Sequence, residues 1–378
     1  MLRIYSLVLL LHAYIGWRLL PDMPLGAPAF AAMILWLVLS AGLMPLGLIA
    51  RRVKRQPLSD RLAWAGLLAM GSFSSLLVLT FMRDVGLLIG SAVSTLLREG
   101  ASLQPLQDWS AAAVPIVAAL VTLVGFINAR RRAKVRSVDV PIAGLPVPLH
   151  GFTIAQISDI HVGPTIKRGY LDAIVDAVND LDADMIAVTG DLVDGSVKQL
   201  SQHTEPLARL SARHGAYFVT GNHEYYSGAG AWVAELRRLG LRVLMNEHVV
   251  LQHEGAALVV AGVTDYSAHH FDPAQRSDPA AAVAGAPVHA GVRLLLAHQP
   301  RSAFEAAPAG FHLQLSGHTH GGQFLPWNLF VRLQQPFTAG LHRLGDLWVY
   351  TSRGTGYWGP PKRLGAPSEI THLRLVPA

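Results

Sequence analysis

The long apolar runs of this 378-residue chain are confined to its first third, and that segregation constrains the fold more than any other feature. Runs at residues 4–20, 25–50, 62–82 and 109–128 approach or reach the roughly 20 residues a helix needs to cross a bilayer. The first is the weakest. His12 interrupts it, Arg18 would have to snorkel, and a signal peptide with Ala27-Pro28-Ala29 as a poor cleavage site is the alternative. The other three are too long and too uncharged for helices of a soluble core. Residues 1–129 are therefore expected to form a transmembrane anchor of about four helices.

Charge divides at the same place. Residues 1–136 carry 14 Lys/Arg against 5 Asp/Glu, whereas residues 137–378 carry 17 against 20 and hold 16 of the 17 histidines. The net charge of +6 would suit a nucleic-acid partner if it were spread over a soluble surface. Here it lies beside apolar runs, so no nucleic acid is expected. Arg51, Arg52, Lys54, Arg55 and Arg61 fall between the second and third runs, and Arg130, Arg131, Arg132, Lys134 and Arg136 follow the fourth. Both clusters should stay in the cytoplasm, together with the domain that follows. The apolar segment 84–97 is short and reads as an interfacial or re-entrant helix. Arg83, Asp84 and Arg98 sit near the ends of the runs, which argues against a transporter with a mid-membrane ion path.

After Arg136 the chain passes through Pro141, Pro146 and Pro148, so residues 130–150 are expected to be a basic, stiff linker. Residues 151–378 then alternate short β-rich runs with amphipathic helices. Strands are expected at 152–158, 184–189, 216–220, 257–262, 292–297, 312–316, 347–351 and 370–375, with helices over 170–181 and 229–239. Such alternation predicts an α/β domain of mixed sheets covered by helices. The Ala-rich stretch 279–290 reads as a loop.

Polar residues collect just after these strands. The ends read Ser158-Asp159-Ile160-His161, Thr189-Gly190-Asp191-Leu192-Val193-Asp194, Gly221-Asn222-His223-Glu224, Ala297-His298-Gln299 and Gly317-His318-Thr319-His320. Strand C-termini are where ligands gather in open α/β sheets. Each piece alone fits a turn or a cap, but together they concentrate carboxylates, imidazoles and an amide. The chain has no cysteine, so any metal must use His, Asp, Glu or Asn. Mixed nitrogen and oxygen donors suit manganese, iron or zinc better than calcium.

The order D-x-H, G-D-x-x-D, G-N-H-E, a lone H and G-H-x-H resembles the calcineurin-like metallophosphoesterases over about residues 150–376. GHTHGGQ and the later SRGTG and PKRLGAPSEI look like their membrane-associated bacterial branch. The resemblance implies a four-layer α-β-β-α sandwich and two divalent metal ions. Asp159, His161 and His320 would hold one, Asn222, His298 and His318 the other, and Asp191 would bridge them. It implies hydrolysis of a phosphate mono- or diester by a metal-bridging hydroxide. His223 would protonate the leaving oxygen with Asp194 orienting its ring, and Glu224 would be a supporting or surface residue. Arg353 is a candidate for the substrate phosphate, an exposed structural role being the alternative.

The expected setting is the inner membrane of a bacterium, multi-pass, with the catalytic domain cytoplasmic and the substrate a phospholipid or lipid-linked nucleotide. The cluster Phe324, Leu325, Trp327, Leu329 and Phe330 either faces lipid or packs against the sheet, and packing is the simpler expectation. An inactive receptor or scaffold using the same fold is the competing reading. It would be favoured by loss of ligand residues, and all seven positions are filled.

Overall fold

The computed structural model describes residues 2–24, 26–53, 55–97 and 102–378. Leu25, Lys54 and Arg98, which entered the sequence reading, lie outside them. The chain divides into two compact units, Met1–Asn128 with Gly359–Leu364, and Ala129–Trp358 with Gly365–Ala378.

The first unit contains α1 (Leu2–Leu19), α2 (Ala27–Ile49), α3 (Leu58–Leu97) and α4 (Gln104–Arg130). Among the described residues, three helices, α2, α3 and α4, are long and apolar enough to cross a membrane, rather than the expected four. At 1.5 Å per residue α1 is about 27 Å long, and it carries polar side chains with polar partners. His12 Nε2 lies 3.1 Å from Ser40 Oγ, and Arg18 Nε donates to Asp84 Oδ2 at 2.9 Å. Residues 84–97 are not a separate re-entrant segment but the continuation of α3, a single helix of 40 residues. Apolar i,i+3 and i,i+4 spacing runs unbroken through Arg83 and Asp84, which leaves nothing to stop the helix.

Glycines let α2 and α3 approach closely: a Cβ on Gly66 would collide with Gly47 Cα and Leu43 O. Buried Arg83 is satisfied by Asp22 Oδ2 (2.5 Å), Arg18 O (2.9 Å), Ser110 Oγ (2.9 Å) and Gln107 O (3.0 Å). These partners lie at the C-terminal end of α1 and the first turns of α4, so the charge sits at one end of the bundle. Lys362, from the PKRLGAPSEI stretch, donates to Gly71 O at 3.0 Å and Ser75 Oγ at 2.5 Å.

The second unit is built on two six-stranded mixed sheets. The first runs β1 (Lys134–Ile142), β12 (Glu369–Pro377), β2 (Thr153–Ile157), β3 (Met185–Val188), β4 (Ala216–Phe218), β5 (Arg242–Val243). The second runs β10 (Gly340–Leu344), β11 (Leu347–Thr351), β9 (Leu313–Ser316), β8 (Val292–Leu296), β7 (Ala256–Gly262), β6 (Glu247–His253). Strands β2, β3, β4 and β5 are mutually parallel, as are β7, β8, β9 and β11. Their C-terminal ends therefore deliver loops to one edge of each sheet.

Alternation along each strand sends one set of side chains between the sheets, where Ile154, Met185 and Tyr217 meet Leu258, Leu294, Leu313 and Tyr350. The opposite face of the first sheet is covered by α5 (Arg168–Asn179) and α8 (Ala229–Arg238), through Leu171, Ile174, Val178, Trp232 and Leu236. The outer face of the second packs on α9 (Pro279–Val283) and α10 (Ala303–Ala306). This is the expected α-β-β-α layering. The remaining helices are α6 (Val197–Thr204), α7 (Asn222–Ser227) and α11 (Trp327–Gln334).

Three sequence expectations change. Residues 130–150 are not a linker, because nine of them form β1, paired in parallel with β12 at the edge of the first sheet. Pro141 is tolerated there because an edge strand needs donors on one side only. The stretch 279–290 begins as a short helix, started by Asp278 Oδ1 accepting from Ala281 N at 2.9 Å. Of the cluster expected to pack against the sheet, Phe324 is buried, while Leu325, Trp327, Leu329 and Phe330 are exposed.

Candidate metal centre

The site is assembled from five loops that leave the ends of β2, β3, β4, β8 and β9. They are tied to one another by backbone pairing: Asp159 N donates to Gly190 O at 3.0 Å and His161 N to Asp191 O at 3.1 Å. His318 N donates to both oxygens of Asp159, at 2.9 and 3.1 Å. Glycines make room. A Cβ on Gly317 would collide with Ser158 Oγ and Asp159 Oδ2, and one on Gly221 with Asp191 Oδ1. Among the described residues nine non-glycine positions have positive φ, and five of them are Asp159, His161, Asp191, His318 and His320. Such backbone is costly for residues with a Cβ and collects at functional sites.

Two groups of candidate ligands converge, and a third cluster, His161, Asp194 and His223, shares His161 with the first. Asp159, His161 and His320 bring one donor atom each within 4.8 Å of one another, and so do Asp191, His298 and His318. His161 Nε2 lies 3.0 Å from His320 Nε2, and His318 Nδ1 lies 3.2 Å from His298 Nε2. Asp191 Oδ2 faces both groups, 3.2 Å from His298 Nε2 and 3.9 Å from His161 Nε2. The two histidines of GHTHGG thus go to different groups, although only Thr319 separates them. Asn222 is buried beside them, and its Oδ1 has no hydrogen-bond partner among the described residues.

Residues 152–322 match the family described as calcineurin-like phosphoesterase. An uncharacterized metallophosphoesterase of Aquifex aeolicus (strain VF5) is 33% identical over 224 residues, which cover 59% of this chain and 84% of that protein. The chain belongs to the calcineurin-like phosphoesterase family.

A Danio rerio protein described as a transmembrane protein with metallophosphoesterase domain is 38% identical over 271 residues, 70% of this chain and 62% of that protein. The chain thus spans about three fifths of the length of that relative. Among solved structures, a 5'-nucleotidase precursor from Thermus thermophilus is similar at 16% identity and a TM-score of 0.40, over 60% of this chain and 54% of that one. Three of the described helices of this chain are, by length and composition, apolar enough to cross a membrane, which supports a membrane location.

Calcineurin-like phosphoesterases are dinuclear and metal-dependent, and the donors of this chain fit two cations. Facing imidazole nitrogens about 3 Å apart, a buried amide oxygen without a partner and two buried carboxylates make a donor set that a cation would satisfy. Burial raises the Asp159 carboxyl above its usual range, and the charge of Asp191 adds to the effect. Burial, with the neighbouring His298, lowers His318 to about 3, so that ring is neutral and able to ligate. Burial opposes ionisation of Asp191 as well, but His298 and His223 outweigh it and hold that carboxyl well below its usual range.

His223 belongs to neither ligand group. Its Nδ1 is 2.5 Å from Asp194 Oδ1, and its Nε2 is 4.0 Å from Asp191 Oδ2, so the ring turns one nitrogen to its carboxylate and the other towards the centre. Asp194 also lies 3.4 Å from His161 Nδ1. Burial would lower His223, but the charge of Asp191 and the hydrogen bond and charge of Asp194 raise it to about 9.

Of the two alternatives read from sequence for Glu224, a supporting or a surface residue, the structure agrees with the supporting one. Glu224 is fully buried, and its carboxylate accepts from Asp191 N (3.0 Å), Leu192 N (2.8 Å) and Gly221 N (2.7 Å), joining two metal loops. Burial and the charge of Asp191 raise it to about 8 despite those donors. The signal for it was its place directly after His223. Tyr226 and Trp358, which sequence did not single out, set their rings edge-on to His223 at centroid distances of 5.1 and 5.8 Å. Arg353 donates from Nη1 to Glu369 Oε2 at 2.9 Å, and its side chain runs beside Gly321 of the metal loop.

Proposed function

We propose that the chain is a membrane-anchored, metal-dependent phosphoesterase that hydrolyses phosphate mono- or diesters presented at the membrane surface, in particular those of a phospholipid or lipid-linked nucleotide. The observation that carries most weight is Asp191, one carboxylate oxygen facing two separate ligand groups. Asp159, His161 and His320 would hold one cation, Asn222, His298 and His318 the other, and Asp191 would touch both. Two divalent cations of manganese, iron or zinc held there would supply acidification of a water and positive charge for the phosphoryl oxygens.

The chain's own residues do the rest. His223 keeps a proton on Nε2, aimed at the centre, and gives it to the leaving oxygen. Asp194 holds the ring through Nδ1 and favours its charged form. Glu224 fixes the loops that carry Asp191 and Asn222, and Arg353 positions the metal loop through its pair with Glu369. The basic clusters within residues 51–61 and 130–136 support a cytoplasmic side of a bacterial inner membrane for the catalytic unit.

The test is hydrolysis by the purified full chain, loaded with manganese, of p-nitrophenyl and bis-p-nitrophenyl phosphate, with Asp191→Asn as control. Activity in the wild type alone is expected, followed by a difference between lipid extracts of membranes incubated with each. A metal-loaded protein inert on every ester would sink the reading.

A further inference from the structure

We propose that α11 seats its apolar face in the lipid monolayer beside the metal centre, which makes it a membrane contact of the catalytic unit in addition to the spanning helices. The inference deepens the reading of a substrate presented at the membrane, and rests on it only for its consequence for turnover.

The helix is built as a surface element. Its sequence, WNLFVRLQ, places four large apolar side chains in eight residues, yet none of its residues is buried. Leu329 is 60% exposed, Phe330 52% and Leu333 81%. A helix that covers a core buries its apolar stripe, and soluble surfaces seldom leave such a patch open. The patch is contiguous: Leu329 and Phe330 lie four and three residues before Leu333, so all three share a face. The Trp327 and Phe330 rings are 6.1 Å apart.

The patch is also fixed to the chemistry. Gly322, two residues after His320, packs so closely on Asn328 that a Cβ there would collide with it. Phe324 anchors the intervening turn in the interior. Gln323 exchanges two hydrogen bonds with the backbone of Trp358, at 2.9 and 3.0 Å, and the half-exposed Trp358 ring borders His223. One short segment therefore carries a candidate ligand at one end and an open apolar face at the other.

Three observations point to lipid as the occupant. Among the described residues three helices of the same chain are long and apolar enough to cross a membrane, so a bilayer is the apolar partner its composition calls for. Trp, Phe and Leu beside an exposed Arg332 is the composition of helices lying in the interface. No acidic residue occurs between Glu305 and Asp346, so nothing in that segment repels anionic headgroups. With α11 in the monolayer, a lipid ester can keep its acyl part among the chains while its phosphate reaches the metal loop.

The absence of cysteine makes the test direct. Single variants Leu329→Cys, Phe330→Cys and, on an exposed loop, Val288→Cys carry a nitroxide in the full chain, reconstituted in phosphatidylcholine–phosphatidylglycerol vesicles. Power saturation then compares collisions with oxygen, which enters lipid, and with a water-soluble nickel chelate. We expect oxygen to dominate at 329 and 330, and nickel at 288. Nickel access at 329 and 330 equal to that at 288 overturns the proposal, as does shielding from both reagents, which would mean a protein partner or a second copy.

The double variant Leu329→Asp/Phe330→Asp should keep its rate on a water-soluble ester and lose at least tenfold on a lipid ester in the same vesicles. Equal loss on both, or on neither, counts against it. The label reading needs no turnover, so an inert protein would refute the proposed activity and leave this contact standing.

Discussion

Asp194 Oδ1 lies 2.5 Å from His223 Nδ1, and this contact adds to the charge of Asp191 in keeping protonated an imidazole that belongs to neither ligand group. Raised from 6.5 to about 9, His223 stays protonated through neutral pH and loses its proton as pH rises past the folded value. Bound cations push the other way, so the alkaline limb of kcat is expected at or below pH 9. The contribution of protonated His223, held by Asp191 and Asp194, to stability has the same sign: complete below about 6.5 and lost as pH rises through about 9. Asp194→Asn should move the limb to lower pH, and His223→Ala should remove it and cost about 10²–10⁴ in kcat. A pH–rate profile of the three proteins decides. A limb that stays in place in Asp194→Asn would show that Asp194 does not act through His223.

Metal content and stability should move together. Asp159 and Asp191 are buried with little to neutralise them but neighbouring imidazoles. A cation that binds only the folded state stabilises it by about 2.7 kcal/mol when present at 100 times its Kd. Chelation is therefore expected to lower Tm, and manganese to restore it. Asp191→Asn, which changes the oxygen that faces both groups, should cost more than the roughly 10–100-fold in affinity typical of outer partners. Elemental analysis would then find fewer than two metals per chain. Two metals retained at wild-type affinity would contradict the shared role of Asp191.

Gly317→Ala is a sharper probe of the GHTHGG loop, because no donor is removed. The added methyl would meet Ser158 Oγ and Asp159 Oδ2, so either the β9 loop or the β2 loop must retreat. Metal affinity should fall while the far-UV circular dichroism and the core stay intact. Unchanged metal binding in the alanine variant would mean that the close approach is not needed.

What could be read from the sequence follows from how local its cause is. The apolar runs, the strands β2 and β3 and the amphipathic α5 each show their period within a dozen residues. The candidate ligands sit at strand ends, so their convergence follows once the strands are parallel. Strand β1 escaped because its partner β12 lies at the other end of the chain, and its basic, proline-containing sequence is what an exposed edge tolerates. The exposure of α11 escaped because apolar side chains look the same whether the core or the membrane receives them. Glu224 showed itself as a carboxylate beside a histidine. Nothing in GNHE reveals that its oxygens turn back to amides 32 and 33 residues earlier.

That carboxylate gives the last prediction. Oε2 accepts from Asp191 N and Gly221 N, and Oε1 from Leu192 N, so all three bonds need an acceptor. Above pH about 8, where Glu224 is ionised, Glu224→Gln keeps the shape but places an amide N–H₂ against at least one backbone donor, leaving buried groups unpaired at a cost of about 1–3 kcal/mol. The damage should fall on the loops that carry Asp191 and Asn222 rather than on the sheets. The expected result is a modest fall in Tm with a larger loss of metal affinity. Hydrogen exchange should show Asp191, Leu192 and Gly221 amides opening well before those of β3. Protection at those three amides equal to that in the wild type would show that Glu224 does not hold the metal loops together.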